Sequence, residues 1–346
     1  MTKKEITIYD LAKRLDISPT TVSRGLKDHP AININTKKRI LDLAKELGYR
    51  SNTFASNLRK QNTNTIGVII PRLDGFMSSV ISGIERIVNN AGYNLVITQS
   101  FESLDKEITN ATTMFNSRVD GLIVSLSNDT KDLNHFKNFI KKGVPLLFFD
   151  RIAEDFPSTK VVIDNFKGGY TATKHLIEQG CKNILHITGT LNGKVYRDRF
   201  EGYKKALEDH QIAYHPEMFI SNCLSEDKVI DYLRNTILKR KDLPDGIFIT
   251  NDFTAAFVIK VLKEEGIKVP DDVAIMGFNN DQVSKVTEPP ISTINYPSVE
   301  MGESIARILI NHFEGRGDLS ITNTVVLNTE LVIRGSSLKL KTNKFR

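Results

Sequence analysis

Tryptophan is absent from this chain of 346 residues, and cysteine occurs only twice, at Cys181 and Cys223. Two isolated thiols provide neither a disulfide framework nor the paired spacing of a zinc site, so a reducing, cytoplasmic setting is expected. No run approaches the roughly 18 to 20 apolar residues that a membrane span needs. The opening MTKKEITIYD has lysines with no apolar stretch behind them, which is not the pattern of a secretory signal. The motifs of common enzymes are missing as well: no G-x-G-x-x-G opens a helix, and neither H-E-x-x-H nor G-x-S-x-G occurs. The stretch from Gly189 to Val195 superficially resembles a phosphate loop. It is one residue short between its glycines and carries Val195 where a magnesium-binding hydroxyl is required. The seven histidines show no ligand spacing, and His175 and His186 are expected to be structural. These absences argue against an enzyme, a bound metal and a cofactor.

What is present is sorted along the chain. Hydrophobic residues make up 40% and charged residues 25%, ample apolar material for two or three globular cores. Residues 1–60 hold 13 Lys/Arg against 6 Asp/Glu, whereas the remaining 286 hold 34 against 35. The positive excess therefore belongs to one small module, and a polyanion is the partner expected for that module alone.

That module reads as three short helices. Thr7 is a good N-cap for YDLAKRL, with Leu11, Ala12 and Leu15 on one face. Ser18-Pro19 opens a second helix, PTTVSRGLK, with Val22 and Leu26 inward. Asn35 or Thr36 is expected to open a third, with Ile40, Leu43, Ala44 and Leu47 as its stripe and Gly48 as its stop. The tight joint at Asp16-Ile17 and the small Ala12 suit a helix-turn-helix, whose second helix lies in a major groove. Thr20, Thr21, Ser23 and Arg24 form its outward polar set. Arg24 has the reach for two bonds to a guanine edge, while Lys37, Lys38 and Arg39 suit phosphates. Residues 51–64 are polar and Asn-rich, a linker composition with a short helix expected at 53–60.

From Thr65 the rhythm changes. TIGVIIP, NLVITQS, GLIVSLS, PLLFFD, VVID, NILHITG, GIFITN and VAIMGF alternate with helix-length segments. Continuous apolar strands separated by helices imply parallel sheets covered on both faces. Two doubly wound α/β subdomains are expected, together with a late helix at 298–315 and a hairpin-like pair around NTVVLNTELVIRGSS. A cleft between such subdomains takes small molecules at the carboxyl ends of its strands. Asp150-Arg151, Asn251-Asp252 and Asn279-Asn280 stand at strand ends. Arg197 and Arg199 head a helix, and Phe76 follows the first strand with a ring able to stack on a sugar face. Amide, carboxylate and guanidinium groups match the donors and acceptors of a sugar ring. A transport binding protein for sugars shares such a body, but lacks a basic head.

The run from Ser18 to Leu26 (S-x-x-T-V-S-R-x-L), the T-x-x-R-I that follows it and the Ala44–Asn52 stretch resemble the DNA-binding head of the lactose-repressor (LacI/GalR) family. The downstream pattern extends that resemblance over nearly the whole chain. It implies an all-α helix-turn-helix head at 1–50 and a hinge-helix linker at 51–64. It also implies an α/β periplasmic-binding-protein-like body of two doubly wound parallel-sheet subdomains, 65–160 with 292–320 and 161–291 with 321–338. The implied function is that of a sequence-specific transcriptional regulator, expected to act as a repressor. It would bind a palindromic double-stranded operator as a homodimer, under allosteric control by a sugar, sugar derivative or sugar phosphate. The DNA-contacting set is then Thr7, Ser18, Pro19, Thr20, Thr21, Ser23, Arg24 and Asn35, with Asn52, Ala55 and Leu58 in a linker helix that wedges the minor groove. The effector set implied is Phe76, Asp150, Arg199, Asn251 and Asn279, with Arg197 beside them. Ser51 departs from the family's proline, and Asn279 from the aspartate common in its sugar-binding members.

Overall fold

The computed structural model describes residues 6–49, 62–319 and 322–339. The helix expected at 53–60, and with it Ser51, Asn52, Ala55 and Leu58, lies outside the described residues. The chain divides into a head, residues 1–63, and a body, residues 64–346.

The head is a three-helix unit of α1 (Ile8–Leu15), α2 (Pro19–Leu26) and α3 (Ile34–Glu46). Leu11, Val22 and Ile40, one from each helix, are fully buried and meet Ala12 and Ala44 in a single small core. Asp16 ends α1 in the left-handed conformation, which turns the chain sharply toward α2. The third helix starts earlier than expected. Asn33 is its cap, accepting from the Asn35 amide at 2.9 Å, so Asn35 and Thr36 lie inside the first turn.

The body holds two six-stranded sheets. The first is ordered β11-β5-β4-β3-β1-β2, from β1 (Thr65–Ile70), β2 (Asn94–Gln99), β3 (Gly121–Val124), β4 (Leu146–Phe149), β5 (Lys160–Ile163) and β11 (Thr324–Leu327). All its pairings are parallel. The second is ordered β12-β10-β9-β8-β6-β7, from β6 (Ile184–Ile187), β7 (Phe219–Ile220), β8 (Gly246–Ile249), β9 (Ala274–Asn279), β10 (Ser292–Asn295) and β12 (Glu330–Val332). Only β12 runs antiparallel, against β10. Period-two alternation explains why the strands are apolar throughout. On β4, Leu147 and Phe149 enter the core under α4 (Phe76–Asn90) and α12 (Ser298–Phe313), whereas Leu146 and Phe148 enter the core under α5 (Leu104–Asn116) and α6 (Lys137–Lys141). The second sheet is covered likewise, by α7 (Asn165–Glu178) and α8 (Lys194–Asp209) on one face and by α9 (Glu226–Tyr232) and α10 (Asp252–Glu264) on the other. A short α11 (Val283–Val286) follows β9.

The subdomain limits differ from the expected ones at every crossing. β5 belongs whole to the first sheet, so a boundary at 160/161 cuts through a strand. β10 belongs to the second sheet and β11 to the first, the reverse of limits at 291/292 and 320/321. The expected hairpin is therefore no hairpin. β11 pairs with β5 and β12 with β10, because the turn between them carries the chain from one sheet to the other. Alternating β-rich residues on either side of a polar turn look the same in both arrangements.

Helices α4 and α12 approach so closely that glycine is required where they touch. A Cβ on Gly302 would meet the Val80 carbonyl oxygen, and one on Gly83 would meet that of Val299. Gly302→Ala should lower the stability of the body by about 1 to 3 kcal/mol through overpacking, read as a shifted urea midpoint with an unchanged m-value.

Candidate functional sites

In the head, the helix starts are fixed by side chains already predicted to matter. Thr7 forms a capping box with Asp10, whose carboxylate accepts from the Thr7 amide at 2.8 Å and from its hydroxyl at 2.7 Å. Ser18 accepts from the Thr21 amide at 3.1 Å, and its hydroxyl lies 2.8 Å from that of Thr21. Pro19 occupies the first helical position, where its missing N–H costs nothing. Thr20 and Arg24 are exposed on α2, with Pro19, Thr21 and Ser23 half-buried beside them; Asn35 is exposed at the start of α3. Lys38 and Arg39 are also exposed, but Lys37 is held in an ion pair with Asp28 at 2.7 Å. Tyr9 and Ile34, on which the sequence reading was silent, are exposed as well, at 71% and 72%.

In the body, the predicted effector residues converge on the strand ends where the two sheets face one another. Arg199, 3% exposed, is the most firmly held. Its Nε donates to Asn165 Oδ1 at 2.9 Å and its Nη1 to the Thr250 carbonyl at 3.0 Å, and its guanidinium lies 3.6 Å above the Phe278 ring. Helix α8 can place it there because Gly169 of α7 leaves room for the Arg199 backbone. Asp150, 6% exposed, ends β4 in the left-handed conformation. Burial pushes its carboxyl above the usual range, opposed by Arg151, Arg199 and a hydrogen bond from Tyr296. Asn279 ends β9 with a φ of 107° and is 4% exposed. Its Nδ2 reaches Asp281 Oδ2 at 3.4 Å, while its Oδ1 has no partner in the structure.

Two cavities border this cluster. One, of about 270 Å³, is lined by Ser127 and Asn128 after β3, Asp150 and Arg151 after β4, and Lys194 and Arg197 at the start of α8. The other, of about 390 Å³, is lined by Phe76 and Ser79 of α4, Asn279 and Asp281 after β9, and Tyr296 and Ser298. Asp150 and Arg197 thus face the first cavity, Phe76 and Asn279 the second, and Arg199 is enclosed between elements of both. Asn251 is not brought into either lining. It is the N-cap of α10, its Oδ1 accepting from the Thr254 amide at 3.1 Å, the ordinary use of an asparagine where a strand runs into a helix.

Comparison with known proteins follows from this geometry. Residues 7–52 match the model of the bacterial regulatory proteins of the lacI family, and residues 173–337 match a periplasmic binding protein-like domain. The NTD biosynthesis operon regulator NtdR of Bacillus subtilis (strain 168) is 32% identical over 335 residues, covering 96% of this chain and 99% of its own. The chain belongs to the LacI family. Its members are DNA-binding transcriptional regulators. The lac repressor bound to ONPG superposes with a TM-score of 0.82 at 23% identity, over 96% of this chain and 100% of its own. The complex of the transcriptional regulator CelR with cellobiose superposes with a TM-score of 0.71 at 25% identity, over 96% and 100%.

Several groups in this LacI-family cleft were not singled out from sequence. Tyr296 follows β10, a strand too short and polar to stand out. Its hydroxyl donates to Asp150 at 3.0 Å, and its ring lies 4.5 Å from that of Phe76. Lys194 reaches Glu154 at 3.2 Å across the first cavity, whereas Arg151, already named from its strand end, is paired with Glu102 at 2.7 Å. Among the described residues no helix is long and apolar enough to cross a membrane. Both histidines expected to be structural are packed in the body. His186 bonds the Phe248 carbonyl at 3.1 Å, and burial lowers its pKa to about 3; His175 bonds Ser337 at 2.7 Å.

Behind the second cavity lies a buried carboxylate. Asp252 accepts from the Asp281 amide and the Thr293 hydroxyl, both at 2.8 Å. Burial pushes its pKa from 3.8 to about 8, against the bond from Thr293 and with repulsion from Asp281. The folded protein thus keeps a proton that the unfolded chain releases, so unfolding sheds a proton between these values and stability falls as pH rises. Below pH 6.5 the buried, neutral His186 works in the opposite sense, so urea midpoints of the wild type should decline chiefly from about pH 6.5 to about pH 8 and level off above. Asp252→Asn should flatten that part of the slope.

Proposed function

We propose that the exposed face of α2 reads a palindromic operator and that the cleft of the body binds a small polar effector, a sugar or sugar derivative, which changes operator affinity. The observation that carries the effector reading is the burial of Asp150, Arg199 and Asn279 at the facing strand ends beside two cavities. Charged and amide groups sealed from water need partners, and a polyhydroxylated ligand supplies donors and acceptors in matching number. The cellobiose complex of CelR supports the same class of ligand.

On DNA, Thr20 and Arg24 contact base edges, with Pro19 limited to steric readout, and Ser18, Thr21 and Ser23 flank them. Thr7 and Asn35, with Lys38 and Arg39, lie near phosphates. Asn52, Ala55 and Leu58 act in the minor groove, a role that rests on sequence alone. Two heads on a palindrome require a two-fold dimer. Effector binding shifts the population between two arrangements of the sheets, and operator affinity follows by linkage. In this reading Phe76, Asp150, Arg197, Arg199 and Asn279 face the effector, and Asn251 holds α10 in place.

Two variants test the two halves separately. Arg24→Ala should relax base preference at one position of each half-site, a loss of about 1 to 3 kcal/mol of discrimination. Binding-site selection that returns an unchanged motif removes Arg24 from the readers. Arg199→Ala should still bind operator DNA but give no response to a sugar that shifts the wild type in a fluorescence-anisotropy titration. A normal response excludes Arg199 from the effector site.

A further inference from the structure

Tyr296 joins three members of the predicted effector set. Its hydroxyl donates to Asp150 Oδ1 at 3.0 Å, its ring packs on Phe76 at a centroid distance of 4.5 Å, and its amide donates to the Asn279 carbonyl at 3.3 Å. It is 2% exposed, in the segment that leaves β10 of the second sheet and enters α12 against the first. Asp150, at the end of a strand of the first sheet, is a buried carboxylate that needs a donor, and it takes one from the protein itself. The two cavities share no lining residue. Asp150 lines the first and Tyr296 the second, so this bond links a wall of one cavity to a wall of the other.

We infer that the Tyr296 hydroxyl is an internal surrogate for an effector hydroxyl, occupying the acceptor on Asp150 that the effector must take over. The inference rests on the reading of the cleft as an effector site. Binding is then an exchange of one donor for another, and the strength of the Tyr296–Asp150 bond sets the concentration at which the protein responds. The exchange also frees the segment between β10 and α12, one of the connections between the sheets, so occupancy of Asp150 is coupled to the geometry of a crossing.

The test is Tyr296→Phe, which keeps the ring and its packing on Phe76 and removes only the hydroxyl. Wild type and variant are titrated by calorimetry with glucose, galactose, ribose, cellobiose and glucose 6-phosphate, and melted with and without each. A hydrogen bond to a charged group corresponds to about tenfold to a hundredfold in an equilibrium. At least one sugar should therefore bind the variant about tenfold more tightly or more. The variant alone should melt lower, because Asp150 loses its donor, yet gain a larger sugar-induced shift. A merely structural tyrosine would lower the melting temperature without enlarging that shift, and this outcome rejects the surrogate. Equal or weaker sugar binding by a folded variant also rejects it and leaves the effector reading intact. If no sugar of the panel binds either protein, the surrogate falls together with the reading of the body as a sugar sensor.

Discussion

A guanidinium sealed from water is the constraint around which the body is arranged. Arg199 cannot shed its proton at any ordinary pH, so the chain must surround it with acceptors, and it does so from several elements at once. Asn165 comes from the start of α7, the Thr250 carbonyl from the end of β8, and the Phe278 face from β9. The glycine opposite its backbone brings α7 and α8 within reach of each other. Removing one acceptor would leave the charge buried and short of partners, a far larger penalty than the loss of a surface ion pair. The elements that meet at the strand ends are therefore held together by one buried group.

Around that fixed charge the cleft is adaptable. Arg151 is committed to Glu102, and Asp150 to Tyr296. Both bonds form within the protein. Asp150 and Asn279 adopt backbone conformations that residues with side chains seldom take.

Much of this was legible in the sequence because the signals were local. The caps at Thr7 and Ser18, the proline after Ser18 and the apolar stripe of α3 each follow from a few neighbouring residues. The strands from 65 to 279 announced themselves as apolar runs, except the two-residue β7, which the sequence reading passed over. The strand-end positions of Asp150 and Asn279 followed from where those runs stop. What failed was non-local. Which sheet β10 and β11 join depends on where a crossing connection passes, and no residue in the stretches STIN or TVVL encodes that passage. Asn251 looked like a ligand because it ends a strand, but it also begins a helix, and the cap claims its oxygen. Tyr296 escaped notice because its role is defined by a carboxylate 146 positions away.

The chain passes between the sheets three times, after β5, after β10 and after β11. One consequence concerns biosynthesis. The first sheet, although begun at Thr65, lacks its sixth strand until Leu327 has emerged, by which time five strands of the second sheet are already made. Neither lobe is a free-standing product of one continuous stretch of polypeptide, and one backbone nick in any crossing would leave the lobes tethered by the other two.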